Sequence, residues 1–168
     1  MVTFRPEIFR DGRGEFTELY HEENYVRLGA LPRGVRFVED DVSISRKGAL
    51  KGLHGDRETW KLICCLRGEI QLAIVDFRSD SETYRASEIY VLDDRERRQV
   101  LIPPGCANGH LCLSESAAIF YKQSEYYRGG EHQFTLRWND PALGIPWRID
   151  HPLLSERDAN APYIDQSR

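Results

Sequence analysis

The sequence lacks an excess of basic side chains, because it has 23 Lys and Arg against 27 Asp and Glu and a net charge of −4. Proteins that neutralise many phosphates of a polynucleotide need surplus positive charge, so nucleic acid is not expected as a partner. No apolar run reaches the length of a membrane span, and the first residues lack the apolar core of a signal peptide. These absences predict a cytoplasmic protein with no membrane partner.

Cysteines are few, and no linker divides the chain. The four cysteines, Cys64, Cys65, Cys106 and Cys112, lie in or beside apolar runs, which indicates small buried hydrophobes and no disulfide framework. No repeat, low-complexity tract or Pro/Gly/Ser-rich linker interrupts the 168 residues. A chain of this length buries about two-thirds of its unfolded surface and needs no structural metal to hold a core. We therefore expect a single domain, residues 1–168.

Short runs rich in β-branched and aromatic residues recur at similar spacing, at 61–66, 69–77, 88–92, 99–102, 117–121 and 133–138. This pattern predicts an all-β sandwich or barrel. Arg67-Gly68 separates the first two runs and predicts a hairpin between them. Only residues 22–31 and 155–161, near the two ends, have weakly helical patterns, the second with Ser155 as a plausible N-cap.

Histidine is the side chain whose ordinary pKa lies nearest neutrality, and the chain has five. A lone histidine is more often structural than catalytic, but His54 lies in Lys51-Gly-Leu-His-Gly-Asp56, with Lys61 close by. Such a cluster can hold a base, a cation and an orienting carboxylate. A metal site is the competing interpretation, but no His-x-His pair exists and the segment 103–110 offers one histidine. The residues therefore predict no metal.

The chain resembles the dTDP-4-dehydrorhamnose 3,5-epimerases and their nucleotide-sugar epimerase relatives over residues 9–161. The resemblance rests on motifs that occur in the same order: Asp11-Gly-Arg-Gly-Glu-Phe16, Phe37-Val-Glu-Asp-Asp-Val-Ser43, Lys51-Gly-Leu-His54, Lys61-Leu62, Val75-Asp-Phe-Arg78, Pro103-Pro-Gly105, Phe120-Tyr-Lys122, Trp138-Asn-Asp-Pro141 and Leu154-Ser-Glu-Arg-Asp158. It implies a double-stranded β-helix jelly-roll barrel of the cupin type, usually a homodimer, with no cofactor.

The implied activity inverts C3, C5 or both of a nucleoside-diphosphate 4-keto-6-deoxysugar, in surface-polysaccharide synthesis. By resemblance, His54 is the catalytic base, Asp158 orients it, Tyr121 is the acid, and Lys61 lies near the 4-keto oxygen. The same resemblance places four residues along the nucleotide-sugar site: Arg13, Glu18, Lys51 and Tyr127. A base and an acid on opposite faces of the ring suit an inversion, and a cation at the keto oxygen stabilises the enolate.

Three departures from the family pattern bear on substrate recognition. Lys51 stands where an arginine is usual, so a group that can bind phosphate through two hydrogen bonds is replaced by a point charge. After the histidine, the chain also departs from the pattern at Gly55-Asp56. Glu39 and Asp41 replace amides, which leaves acceptors only and changes the expected base or ribose contact. Asn108 replaces a histidine near the sugar, in Ala107-Asn-Gly-His110. The Lys-Gly-Leu-His-Gly-Asp form resembles a subgroup that acts on other sugar nucleotides, including GDP-linked 4-keto-6-deoxyheptoses and CDP-linked sugars.

Three other functions remain open at this stage. A 3,4-ketoisomerase on the same fold moves a proton between neighbouring carbons on one face of the ring and needs no opposing tyrosine, so Tyr121 disfavours it. A barrel that binds a sugar nucleotide without converting it is disfavoured by the presence of both His54 and Tyr121. A metal-dependent cupin is disfavoured by the lack of a His-x-His pair.

Overall fold

The computed structural model describes residues 1–29 and 31–164, which form twelve strands and two short helices. The strands are β1 Val2–Phe4, β2 Ile8–Asp11, β3 Gly14–Thr17, β4 Glu39–Arg46, β5 Leu50–Gly55, β6 Lys61–Arg67, β7 Glu69–Asp76, β8 Ser87–Asp93, β9 Gln99–Ile102, β10 Cys106–Cys112, β11 Ser116–Gln123 and β12 Phe134–Thr135. The helices are α1 Glu22–Arg27 and α2 Glu156–Ala159, and a 3₁₀ turn spans Gly130–His132.

Ten of these strands form two five-stranded antiparallel sheets. The first sheet has the order β1-β9-β6-β11-β4 and the second β12-β5-β10-β7-β8, while β2 and β3 pair as a separate hairpin. Twelve buried apolar side chains from both sheets form the core between them, among them Ile63, Leu72 and Ile119. All four cysteines are buried free thiols, three of them in this core. The prediction of a mainly β protein is confirmed.

The hairpin predicted at Arg67-Gly68 is wrong. β6 pairs with β9 and β11, whereas β7 pairs with β8 and β10, so the chain crosses from one sheet to the other at Gly68. Gly68 has a φ of +79°, and a Cβ at this position would lie 2.2 Å from the Ser116 carbonyl oxygen. The turn residues correctly indicate a change of direction, but they carry no information about which sheet the next strand joins.

Both segments with weakly helical patterns contain a helix, and each helix is shorter than its segment. The first segment, 22–31, holds α1 and also includes Ala30, which lies outside the described residues. In the second, the Ser155 hydroxyl caps α2 by accepting from the Asp158 N–H at 3.1 Å, as predicted. In the described ranges, no helix is long and apolar enough to cross a membrane.

The register of the first sheet brings polar side chains to one end of the space between the sheets. Gln123 of β11 is paired with Lys61 of β6 and Glu39 of β4. Two residues earlier on β11, Tyr121 is paired with Asp41 of β4. Since side chains two residues apart on a strand share a face, these groups point into the same space.

The second sheet adds polar groups to this end from the opposite side. His54 of β5 is paired with Asn108 of β10, and Lys51 is paired with His110. On the outer face of this sheet, residues of the C-terminal segment, including Leu136, pack against buried apolar side chains of the strands. This packing brings the chain back to the barrel, where α2 contacts β5.

Candidate active site

A cavity of about 420 Å³ opens at the polar end of the barrel. Its lining side chains come from both sheets, from the segment after β11 and from α2: Glu39, Asp41, Lys51, His54, Lys61, Ile63, Asn108, Tyr121, Gln123, Tyr127, Gln133 and Arg157. A neighbouring cavity of about 450 Å³ shares Gln123, Tyr127 and Gln133 with it. The two adjoining cavities share these residues and together form a cleft with room for a ligand larger than a single sugar ring.

His54 and Asp158 form a hydrogen-bonded pair in this cavity, with 2.6 Å between His54 Nε2 and Asp158 Oδ1. Asp158 is 2% exposed, and its other oxygen accepts from the Gly52 N–H at 3.3 Å. Burial alone would raise the pKa of Asp158, but the hydrogen bond and charge of His54 bring it below the ordinary value. An ionised Asp158 fixes the imidazole orientation and stabilises its protonated form, as a catalytic base requires.

The surroundings of the His54–Asp158 pair include a close approach of β5 and β10 at Gly52. A Cβ on Gly52 would lie 2.6 Å from both the Asn108 carbonyl oxygen and the Gly109 Cα, and the φ of Gly52 is +116°. Only glycine adopts this backbone conformation readily. The Lys-Gly-Leu-His motif therefore has a structural reason for its glycine, which places the backbone N–H against Asp158.

Tyr121 belongs to the sheet opposite His54 and lines the same cavity. Burial raises the pKa of its hydroxyl above the ordinary tyrosine value, and the nearby charges of Asp41 and Glu39 raise it further. The hydroxyl therefore stays protonated at neutral pH and remains a proton donor. A ligand lying between the sheets would have an imidazole on one side and a phenol on the other.

Lys61 is a buried ammonium at the start of β6, 8% exposed. Burial lowers its pKa, while the Asp56 carboxylate, with 3.8 Å between Nζ and Oδ2, acts in the opposite direction. Asp56 is held in place because it accepts from the Glu58 and Thr59 N–H groups at 3.0 and 2.6 Å. A cation held this way can stabilise negative charge that develops on a bound ketone oxygen.

Glu39 and Asp41 are linked through the side-chain amide of Gln123, which donates to Glu39 at 2.8 Å and to Asp41 at 3.0 Å. The Tyr127 N–H also donates to Glu39, at 2.9 Å. Burial and the neighbouring charge of Glu39 raise the pKa of Asp41 against the effect of the Gln123 bond. The two carboxylates retain free lone pairs toward the cavity and can accept from ligand hydroxyl or amino groups.

Lys51 and Asn108 complete the predicted residues that line the cavity. Lys51 Nζ donates to the Ser43 hydroxyl at 2.8 Å, and within the described ranges it contacts no carboxylate. The side-chain oxygen of Asn108 is buried and has no hydrogen-bond partner among the described residues. Because an unpaired buried acceptor is costly, this oxygen is a ready acceptor for a ligand hydroxyl.

Arg13 and Glu18 do not line the cavity of their own chain. Arg13 lies in the turn of the β2–β3 hairpin, with its side chain 91% exposed and bound to Asp11 at 2.7 Å. Glu18 follows the hairpin and accepts from the Asn24 side chain at 3.4 Å. Of the eleven predicted site residues, these two are the ones that a single chain does not bring to the cleft.

Four functional candidates were missed from sequence. Gln123, Gln133 and Arg157 line the cavity, and His110 lies buried behind it, with its Nε2 3.3 Å from the Ser45 hydroxyl. Burial, with the nearby charges of Lys51 and His54, lowers the pKa of His110 to about 4. It is therefore neutral at ordinary pH. The position of Gln123, two residues after Tyr121 on the same strand, could have identified it. Gln133 begins the predicted run 133–138 but lies just before β12 in the structure, and the run gave no sign that this side chain reaches the cavity.

The described part of the chain contains no group of three or more His, Cys, Asp or Glu side chains arranged to hold a metal ion. The chemically active groups at the site are the histidine–aspartate pair, the opposing tyrosine and the cations described above.

Comparison with known proteins shows the family of the chain. The model of the dTDP-4-dehydrorhamnose 3,5-epimerase family matches residues 1–166. The dTDP-4-dehydrorhamnose 3,5-epimerase of Salmonella typhimurium is 37% identical over 171 residues, covering 99% of this chain and 92% of that protein.

Two solved structures have the same fold. The dTDP-6-deoxy-D-glucose-3,5-epimerase RmlC of Legionella pneumophila, in complex with dTDP-4-keto-L-rhamnose, superposes with a TM-score of 0.92 at 34% identity, over 99% of this chain and 88% of that one. The dTDP-4-dehydrorhamnose 3,5-epimerase of Bacillus anthracis, with TDP and PPi bound, gives 0.90 at 37% identity, over 96% and 93%. The cupin-like barrel prediction is confirmed, and the chain belongs to the dTDP-4-dehydrorhamnose 3,5-epimerase family of isomerases.

Proposed function

We propose that this chain is a cofactor-independent epimerase that inverts C3, C5 or both of a nucleoside-diphosphate 4-keto-6-deoxysugar. The observation that carries the proposal is the placement of the His54–Asp158 pair and Tyr121 on opposite sheets around one cavity. Epimerisation requires removal of a proton from one face of a carbon and its return to the other face. A base and an acid on opposite walls meet that requirement.

In the proposed mechanism, His54 removes the proton on a carbon next to the 4-keto group. Asp158 holds the imidazole through its 2.6 Å contact and stabilises the imidazolium that forms. The electrons of the broken C–H bond move to the keto oxygen and give an enolate. Lys61 stabilises the charge on that oxygen, and Asp56 keeps the ammonium in place.

The second half-reaction protonates the enolate carbon from the other face. Tyr121 donates this proton, since its raised pKa keeps the hydroxyl protonated until the enolate forms. The enolate electrons return to carbon, the ketone is restored, and the configuration is inverted. Before the next turnover the His54 imidazolium releases its proton to solvent, and the tyrosinate takes one up from solvent.

The remaining cavity residues bind the substrate in this proposal. Glu39 and Asp41 accept from donor groups of the substrate, and Asn108 offers its unpaired oxygen to a hydroxyl. Lys51 contacts the diphosphate. Tyr127, which borders both cavities, packs against the nucleotide part.

We further propose a homodimer, in which Arg13 and Glu18 act at the partner's cleft. Two groups of exposed apolar side chains support this arrangement. Phe9 and Phe16 on the β2–β3 hairpin are 54% and 66% exposed, and Val42 and Ile44 on the edge strand β4 are 60% and 71% exposed. Burial of such surfaces against a second copy is favourable. The hairpin would then extend away from its own chain and place Arg13 and Glu18 at the partner's cleft.

The domain organisation, cellular compartment and products of the enzyme belong to the same proposal. We infer that the whole chain, residues 1–168, acts as one epimerase domain in the cytoplasm, with the surface-polysaccharide sugars as its products. The acidic net charge of −4 supports a small-molecule substrate over a polynucleotide.

Proton NMR in D2O tests this function directly. The protein is mixed with dTDP-, GDP- and CDP-linked 4-keto-6-deoxysugars, and deuterium is followed at C3 and C5. An epimerase gives label together with inverted configuration in at least one of the three substrates. A ketoisomerase would instead give a 3-keto product, and a binding barrel would give shifted resonances without exchange; either result would contradict the proposal.

A further inference from the structure

The β2–β3 hairpin, which carries Arg13 in its turn, is tied to the barrel through Arg97. The Arg97 guanidinium donates to the Thr17 hydroxyl at 2.6 Å and forms an ion pair with Glu15. Thr17 and Glu15 lie two residues apart on β3, so their side chains share one face of the hairpin. One cation therefore contacts two positions of the same strand and fixes the hairpin against the barrel.

Arg97 is itself firmly held in the turn between β8 and β9. Its side chain is 16% exposed, its N–H donates to the Asp93 carbonyl oxygen at 3.1 Å, and its carbonyl oxygen accepts from the Cys64 thiol at 3.5 Å. Its φ is +49°, a left-handed conformation that costs free energy in a residue other than glycine. Such a conformation persists where the surrounding contacts select it, and here it accompanies the contact of the guanidinium with the hairpin.

The chain is held again directly after the hairpin, on the far side of Glu18. The Leu19 carbonyl oxygen accepts from the Gln99 side-chain amide at 2.6 Å and from the Tyr25 hydroxyl at 3.2 Å. Glu18 therefore lies between two anchored neighbours, since Thr17 precedes it. Its backbone position is set by contacts within its own chain.

A second link joins the hairpin to the same turn, but it is weaker. Arg10 donates to the Arg95 carbonyl oxygen at 3.3 Å, and its side chain is 58% exposed. Arg10 also pairs with Glu15 across the hairpin, at 3.2 Å. Contacts of exposed side chains contribute little, so the largely buried Arg97 is the principal anchor of the hairpin.

We propose that Arg97 is a positioning residue for the active site of the partner subunit, because it orients the hairpin that carries Arg13 and Glu18. This inference rests on the proposed function and on the proposed homodimer. A hairpin that reaches a second chain delivers its charges accurately only if its base is fixed, and a misplacement of about 1 Å can cost about a hundredfold in rate. Arg97 itself does not touch the substrate, so its loss should weaken substrate binding and spare His54 and Tyr121.

Calorimetric titration with dTDP, GDP and CDP, together with deuterium-exchange kinetics, tests the inference on Arg97→Gln. We expect nucleotide affinity to fall about tenfold and KM to rise by a similar factor, with kcat within about threefold of the parent. Arg97→Lys should recover part of the loss, because an ammonium can pair with Glu15 but lacks the planar geometry that also reaches Thr17. Both variants should remain dimeric in analytical ultracentrifugation.

Arg95→Gln is the matched control. Arg95 lies in the same turn and pairs with Asp93 and Glu69 at 3.0 and 3.7 Å, and within the described ranges its side chain pairs with no hairpin residue. This variant should keep the parent's nucleotide affinity and KM. Should Arg97→Gln fail to fold, Thr17→Val breaks the same link from the hairpin side and takes its place in every measurement.

A mixed dimer of an Arg97→Gln chain and a His54→Asn chain, purified through two different affinity tags, shows which chain the hairpin serves. The His54→Asn chain cannot react, but its intact hairpin would reach the cleft of the Arg97→Gln chain. We expect the parent's KM and about half of the parent's kcat per dimer. A hairpin that served its own chain would leave the raised KM of Arg97→Gln unchanged.

Three results would overturn the inference: parent-like affinity and KM in Arg97→Gln, a fall in kcat at constant KM, or a mixed dimer that keeps the raised KM. A monomeric parent protein would remove the proposed homodimer and the inference with it. A parent protein that binds none of the three nucleotides and exchanges no deuterium would instead remove the proposed function itself. The failures are therefore distinguishable.

Discussion

The contact between His54 and Asp158 is the feature on which the proposed chemistry depends. Asp158 is almost fully buried, and His54 is its main charged neighbour. Its lowered pKa means that the carboxylate stays ionised well into the acid range. The contribution of the ionised form to stability is therefore present above the ordinary aspartate pKa and is lost as pH falls through the lowered value.

His54→Asn should abolish deuterium exchange, because it removes the base and leaves the cavity nearly unchanged. Loss of a general base costs about a hundred- to ten-thousand-fold in rate. Asp158→Asn should lower the rate by a smaller factor, since the imidazole remains. Exchange rates and nucleotide affinities of both variants check this.

His151→Asn is the control for these variants, because His151 is exposed and lies outside the cavity. It should behave as the parent protein does. Near-normal exchange in His54→Asn, or a greater loss in Asp158→Asn than in His54→Asn, would remove His54 from its role as base.

β5 and β10 approach each other so closely at one position that neither strand has room for a side chain there. Gly52 and Gly109 face each other there, and a Cβ on Gly109 would lie 2.8 Å from the Lys51 carbonyl oxygen. The approach sets the distance between His54 on β5 and Asn108 on β10. It also lets the Gly52 N–H reach Asp158 on α2.

Gly52→Ala should therefore destabilise the fold by about 1–3 kcal/mol, through a steric clash and an unfavourable φ. Urea denaturation monitored by tryptophan fluorescence measures the change. Gly12→Ala is the matched control, since a Cβ there meets nothing within 4 Å and its φ is not left-handed. If both variants unfolded at the parent's urea concentration, the close approach would not be required.

The sequence predicts some elements well and others poorly, for physical reasons. The strand runs at β6, β7 and β9 are nearly continuous apolar segments, because both faces are buried, and they were found within one residue of their ends. The segment 133–138 forms a strand only at Phe134–Thr135, since the chain then leaves the sheet to pack on its outer face.

The candidate site could also be predicted only in part from local sequence patterns. The motifs identified His54, Asp158, Lys61 and Tyr121. Gln123 was missed, although it lies two residues after Tyr121 on the same strand. Their meeting in one cavity depends on which strands pair across two sheets, and this is a tertiary property that local patterns do not contain.

The outward face of β4 leaves the apolar side chains of Val42 and Ile44 exposed. β4 is the edge of its sheet, and exposed apolar groups on an edge strand favour pairing with another chain. Ile44→Glu should shift the protein from dimer to monomer in analytical ultracentrifugation, because a charge would be buried at the interface.

Val91→Glu is the control for this substitution, because Val91 lies on β8, the edge strand of the other sheet, and is 37% exposed. It should leave the mass unchanged. A monomeric parent protein, or a dimer that persists in Ile44→Glu, would contradict the proposed homodimer at β4.

We propose that the two walls of the barrel act on opposite faces of the sugar, and Tyr121→Phe in D2O is the variant that separates the two faces. The change removes the hydroxyl and keeps the ring, so His54 can still exchange the proton on its own face. NMR should show deuterium entering the unchanged substrate while formation of inverted product falls by about a hundredfold or more. Tyr84→Phe, at a tyrosine that is 38% exposed and lines neither cavity, should behave as the parent. Inversion by Tyr121→Phe at the parent's rate would contradict the claim.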